Sequence, residues 1–248
     1  MGSKADWRAV RTWLGTERKI RRMNDSKSDL LDAVVVETGS DPQHAVVWLH
    51  GLGADGHDFE PIVPHLSAAS ARPVRFVFPH APVRPVTING GMAMRAWYDI
   101  LGMQIDRDQD QAGIHASLAA VDRVIDAQLD SGIAAENLVL AGFSQGGAIA
   151  LRCGLARPEP LGGILALSCY LLEGQSLDQW SSPASKSVPV FIGHGQQDPV
   201  VPMALGEAAA RQLTDAGHEV QWNTWPMPHS VCMEEIQAID AWLKSIWQ

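Results

Sequence analysis

The segment Gly142-Phe143-Ser144-Gln145-Gly146 sets a serine between two glycines, after a short apolar run and ahead of a helical one. As a bare pattern, G-x-S-x-G is weak. Between a strand and a helix it gains meaning, because a serine on so tight a turn takes strained backbone angles and its glycine neighbours must leave room for the two elements to approach. Such a turn lifts the hydroxyl above the carboxyl edge of a sheet, at a helix N-terminus that favours developing negative charge. A glycine-rich turn that merely contains serine is the plain alternative.

A serine hydroxyl attacks only when a base takes its proton and an acid orients that base. Where this kind of turn ends a parallel strand, the partners follow in the order serine, acid, histidine. Two histidines lie beyond both Ser144 and the strand-end Asp198. His218 follows Asp215-Ala216-Gly217, a helix exit, where a surface position is expected; His229 follows Pro226-Met227-Pro228, just past a strand, where a loop can aim it inward. His229 is therefore the expected base. By the same logic Asp198, past the end of a strand in Gln196-Gln197-Asp198-Pro199, is the expected acid, with Glu173 as a competitor because it too follows a strand. Negative charge on a tetrahedral intermediate needs N–H donors. His50-Gly51-Leu52-Gly53 follows another strand, so the backbone N–H groups of Leu52 and Gln145 are the expected oxyanion donors. The ring of His50 is expected to brace this loop rather than to catalyse.

The elements that must position these residues alternate. Apolar runs at 33–37, 45–49, 74–78, 138–141, 163–167, 188–192 and 219–224 read as strands, and 113–129, 145–155, 203–216 and 233–247 as helices. Near-continuous apolar strands separated by helices mean an α/β fold, a mostly parallel sheet covered on both faces. Residues 79–111 form the one long irregular stretch, and loops of that length in a compact domain are usually functional. One catalytic domain over 29–248 is expected, preceded by a basic arm over 1–28.

Composition narrows the classes further. The 248 residues carry 19 Lys and Arg against 28 Asp and Glu, a formal charge of −9, which argues against wholesale nucleic-acid binding. Residues 1–27 hold eight basic and three acidic side chains, leaving +5 there and −14 on the remainder. Trp7, Val10 and Leu14 can share one face of a basic helix suited to an anionic surface. The duller reading is an extension upstream of a natural start at Met23, and this is the expectation. The longest apolar run, from Gly162 to Leu172, is far short of the roughly 20 residues that span a bilayer. Cys153, Cys169 and Cys232 show neither a disulfide framework nor zinc spacing, so buried free thiols and a reducing, cytoplasmic location are expected.

With these residues assigned, the chain resembles the acyl-protein thioesterase/carboxylesterase (phospholipase/carboxylesterase) family of α/β-hydrolases, in particular its bacterial carboxylesterase branch. The resemblance runs from about Val34 to the C-terminus. It rests on Leu49 to Gly56, Phe78-Pro79-His80-Ala81-Pro82, Arg84 to Gly91, Ala96-Trp97-Tyr98-Asp99, Gly142 to Gly147, His194-Gly195 with Asp198 to Pro202, and His229-Ser230-Val231. It implies the α/β-hydrolase fold without a large cap domain, and ester and thioester hydrolysis through an acyl-serine. It also implies no metal or organic cofactor, and admits a homodimer that no sequence feature specifies. The family's nucleophile, acid and base fall on Ser144, Asp198 and His229, and its oxyanion donors on Leu52 and Gln145. Many members carry glycine before the catalytic histidine, where this chain has Pro228. Met92, Met94, Met103 and Trp97, together with Tyr170, Leu171, Leu172 and Val200, are expected to supply an acyl pocket, with ordinary core packing as the alternative. Short to medium acyl esters are the expected substrates. Long-chain thioesters or lysophospholipids are the alternative, and a non-catalytic binding protein is the rival of another class.

Overall fold

The computed structural model describes residues 30–103, 105 and 108–247; the basic arm, with Trp7, Val10 and Leu14, lies outside the described residues. Nine strands are described: β1 (Ala33–Glu37), β2 (His44–Leu49), β3 (Val74–Pro79), β4 (Val83–Val86), β5 (Met92–Arg95), β6 (Leu138–Phe143), β7 (Gly163–Leu167), β8 (Val190–Gly195) and β9 (Val220–Trp225). The helices are α1 (Ala68–Ala71), α2 (Gln111–Asp130), α3 (Gln145–Ala156), α4 (Leu177–Trp180), α5 (Met203–Asp215) and α6 (Met233–Ile246). Seven strands form one sheet in the order β1-β3-β2-β6-β7-β8-β9. Only β1 runs antiparallel.

Both faces of the sheet are buried, which is why its strands read as unbroken apolar runs. In β2, Ala45, Val47 and Leu49 enter the core shared with α2, α3 and α5. Val46 and Trp48 face the opposite core, built with Phe59, Ile62 and α6. Helix α2 presents Ile114, Val121, Val124 and Ile125 at helical spacing, and Asp110 caps it by accepting the Gly113 N–H at 2.9 Å. Helix α3 is buried from Gln145 to Leu155, so it needs small residues where it crosses the sheet. Among the described residues no helix is long and apolar enough to cross a membrane.

Three departures from the sequence reading bear on the site. Residues 79–111 are not simply irregular: β4 and β5 pair as an antiparallel hairpin, Val83 opposite Arg95 and Val86 opposite Met92. The cue was Asn89-Gly90-Gly91, whose two glycines take φ of 68° and 78°. Strand β8 starts at Val190, after Pro189, which has no N–H for the ladder, and continues through Gly193-His194-Gly195 paired to β9. Finally, His218 is buried rather than superficial, 4% exposed against the Ser185 carbonyl and Lys186.

Candidate active site

Strand β2 turns back to β3 on one side while β6 begins the run on the other, so the gap between β2 and β6 is a topological switch point, where open α/β sheets bind ligands. The loops leaving β2, β6, β8 and β9 at this edge carry Leu52, Ser144, Asp198 and His229.

Ser144 has φ 55° and ψ −119°, a conformation that strains any residue with a side chain. Close backbone packing imposes it. A Cβ on Gly142 would lie 2.3 Å from the Gly146 carbonyl oxygen, and one on Gly146 would lie 2.4 Å from that of Leu49. The turn is also pinned by the Ser144 N–H, which donates to the Leu167 carbonyl at 2.8 Å. A Cβ on Gly51 would stand 3.5 Å from the Ser144 Cβ, so the loop after β2 runs directly beside the serine.

His229 Nδ1 donates to Asp198 Oδ2 at 2.6 Å, and the His229 ring packs on Phe143, the residue before Ser144, with centroids 4.7 Å apart. The other carboxylate oxygen of Asp198 accepts the N–H groups of Val200 and Val201 at 2.8 and 2.9 Å. Burial by itself would raise the Asp198 pKa. The His229 bond and charge, with the Val201 and Val200 amides, outweigh it and hold the group below the usual carboxylate range. The Asp198 carboxylate is thus ionised and fixed in place. Glu173, the competing acid, is bound instead to Arg152 at 2.6 Å.

His194 was not singled out by the residue-by-residue reasoning. Its Nε2 donates to the Val201 carbonyl at 2.9 Å and lies 3.6 Å from Asp198 Oδ2, so it backs the acid from the far side. Burial, opposed by Val201 and Asp198, lowers its pKa. A usable signal was Gly206: a Cβ there would meet the His194 ring at 2.3 Å.

The opposite wall is tied together by side chains. The Gln145 carboxamide accepts the Trp97 N–H at 2.8 Å and donates to the Tyr98 carbonyl at 2.7 Å. The Trp97 indole N–H donates to the His50 carbonyl at 2.9 Å, and the Gly53 N–H to the Arg95 carbonyl at 2.8 Å. His50 holds Gly51 and Ala81 through its two ring nitrogens, as a bracing residue should. The N–H of Gln145, first residue of α3, has no carbonyl one turn back within the helix, which leaves it free for an anion.

The expected pocket residues separate. Trp97 is 0% exposed and hydrogen-bonded, so it does not line a pocket open to solvent; its indole is consumed in bracing. Leu171 is buried at 7%. Met94 is half-buried, its Sδ 3.6 Å from where a Gly53 Cβ would be, beside the loop after β2. Met92 and Val200 are 64% and 58% exposed. Of the three thiols, Cys153 and Cys169 are buried and Cys232 is half-buried; all are free.

The chain is similar to several known proteins. Acyl-protein thioesterase 1 of Gibberella zeae is 38% identical over 220 residues, covering 85% of this chain and 94% of that protein. A probable carboxylesterase of Oryza sativa subsp. japonica is 37% identical over 203 residues, 81% of this chain and 76% of that one. Arabidopsis thaliana SOBER1 matches with a TM-score of 0.78 at 30% identity, covering 83% of this chain and 99% of that structure. A family profile described as Phospholipase/Carboxylesterase matches residues 31–247, which takes in the entire sheet and every strand-end loop just described. The chain belongs to the phospholipase/carboxylesterase family of α/β-hydrolases, and is by class an esterase or thioesterase.

Proposed function

We propose that Ser144, His229 and Asp198 form a catalytic triad that cleaves acyl thioesters and esters through an acyl-serine, with long-chain thioesters as the preferred class. The observation that carries the chemistry is the 2.6 Å bond from His229 Nδ1 to Asp198, formed beside a serine held at φ 55°. His229 Nε2 takes the Ser144 proton as Oγ attacks the acyl carbon, and Asp198 stabilises the imidazolium. The oxyanion is received by the Leu52 and Gln145 N–H groups. Collapse expels the thiol or alcohol, protonated by His229. Water then attacks the acyl-serine, with His229 as base and acid in turn, and releases the carboxylic acid.

The substrate class is supported by the thioesterase relatives, 37–40% identical to this chain, and by the exposed apolar side chain of Val200, whose N–H is bound to Asp198. A second reading, short to medium acyl esters, is favoured by the carboxylesterase relative and by the hairpin lip, which is shorter than a cap domain.

A chain-length series of p-nitrophenyl esters with palmitoyl-CoA, run for wild type beside Ser144→Ala, tests both. Activity that peaks on long chains or on the thioester and vanishes in the variant is the expected result. A short-chain peak selects the second reading. Equal rates for wild type and variant on every substrate, with no fluorophosphonate labelling, overturn the enzyme reading in favour of a binding protein.

A further inference from the structure

The loop carrying Leu52 is anchored at both ends by one neighbouring segment. At its head, His50 reaches out: its Nε2 accepts the Ala81 N–H at 3.0 Å while its Nδ1 donates to the Gly51 carbonyl at 2.7 Å. At its tail the direction reverses, and the Gly56 N–H donates to His80 Nδ1 at 3.0 Å. Gly56 can come this close only because it lacks a Cβ, which would lie 2.3 Å from the Phe78 carbonyl. The anchoring segment is itself fixed. The His80 N–H donates to the Asp32 carbonyl at 2.7 Å, and Arg95 donates to the Ala81 carbonyl at 2.9 Å.

Both rings therefore accept a backbone N–H, and each can do so only when neutral. A second ring proton turns the accepting nitrogen into a donor facing another donor. We propose that His50 and His80 are a reciprocal staple: positioning residues that hold the oxyanion loop at both ends and release it when either ring gains a proton. The inference rests on Leu52 being an oxyanion donor, as proposed above.

The surroundings keep the staple closed at neutral pH. Around His50, burial dominates and Arg95 and His80 act with it against Asp55 and the Gly51 bond, leaving its pKa at about 4. Around His80, which lies nearer solvent, burial comes first. Arg95 and His57 oppose its protonation, while Asp55 and Asp32 favour it, and the net shift is downward. His57 stands 5.9 Å from the His80 ring and pairs with Glu60, and Asp58 lies against Asp55. As pH falls through these lowered values the acceptors are lost. The staple is intact above them and open below.

The test compares wild type, His80→Ala and His80→Asn, the last because the asparagine Oδ1 replaces Nδ1 as an acceptor that does not titrate. His80→Ala should lower kcat by about 30-fold with KM within about twofold, since a misplaced donor weakens the transition state more than the ground state. His80→Asn should return kcat to within about threefold of wild type at neutral pH and retain several-fold more of it than wild type does on the acid side. The protection factor of the Gly56 amide, by hydrogen exchange, should fall at acid pH in wild type and hold in His80→Asn. Wild-type kcat in His80→Ala overturns the proposal, as does an acid limb in His80→Asn that matches wild type. If His80→Ala does not fold, the His80→Asn profile still decides. If Ser144→Ala proves fully active, the catalytic reading falls separately, and Gly56 protection still reports whether the staple exists.

Discussion

The two sides of the site are built differently. On the serine side, the turn between β6 and α3 is held by backbone against backbone: Gly142 and Gly146 let main chains approach so closely that no Cβ fits. On the facing side, residues 50–56 and 80–99 are held by side chains gripping backbone, through His50, His80, Arg95, Trp97 and Gln145. The first is set by sterics, so any side chain added at its contacts must displace backbone. The second is a set of directional bonds that can be weakened one at a time. Where chemistry needs a fixed nucleophile and adjustable electrostatic support, this division gives each its own kind of constraint.

Substitutions on the two sides should differ in what they cost. Asp198→Asn leaves the fold intact and removes the charge that holds His229, so kcat should fall by about 10⁴-fold with the melting temperature little changed. A variant within tenfold of wild type would remove the acid from the scheme. Gly146→Ala forces a methyl into the Leu49 and His50 carbonyls, and should cost roughly 3 kcal/mol in denaturant unfolding and about 10²-fold in turnover. Its counterpart on the facing side, Gly53→Ala, meets only Met94 Sδ at 3.6 Å and bears the strain of φ 76°, so about 1 kcal/mol is expected. Equal costs for the two would dissolve the distinction.

Trp97→Phe deletes one bond of the side-chain network, the indole N–H to the His50 carbonyl. About a tenfold loss in kcat with KM nearly constant is expected, in line with one buried hydrogen bond. An unchanged kcat would show that the facing side does not depend on that bond.

Glu235 gives the smallest effect on turnover and a distinct effect on stability. It is fully buried in the first turn of α6, and its Oε1 occupies the space where a Gly193 Cβ would lie, with no hydrogen-bond partner for either oxygen among the described residues. Burial raises its pKa to about 8. The folded state therefore holds this proton up to a higher pH than the unfolded chain does. Its contribution is fully present below the unfolded carboxylate value and is lost as pH rises toward 8, at up to about 1.4 kcal/mol per pH unit. Glu235→Gln should flatten the decline in melting temperature between about pH 5 and 8 while leaving kcat at neutral pH unchanged. An identical pH dependence in both proteins would refute the neutral buried acid.

How far the site could be read from the chain follows the same division. The turn at Ser144 was legible because its constraint is local: glycines two residues either side of a serine, between an apolar strand and a helix. Asp198 and His229 were legible as strand-end residues in a fixed chain order, although their 2.6 Å bond was not. The hairpin at β4 and β5 was missed, since Pro85 and Ala93 dilute any strand pattern and only the Gly90-Gly91 turn marked it. In the sequence Trp97 reads equally as pocket wall or as core, since an aromatic in a long loop gives no sign of its burial; the structure buries it as a brace. The role of His194 depends on β8 running on to Gly195 beside β9.

Periodicity, glycine placement and strand ends act over a few residues, so the sequence alone determined the layered α/β architecture, the tight strand–helix turn at Ser144 and the placing of Asp198 and His229 after later strands. Apart from His50, which the sequence marks as a brace, the side chains that hold the wall opposite Ser144 were decided by tertiary structure. Bonds such as Gln145 to Trp97, or His80 to Gly56, join residues 48 and 24 positions apart. No local pattern specifies such pairs; they form only once the sheet has brought its loops to one edge.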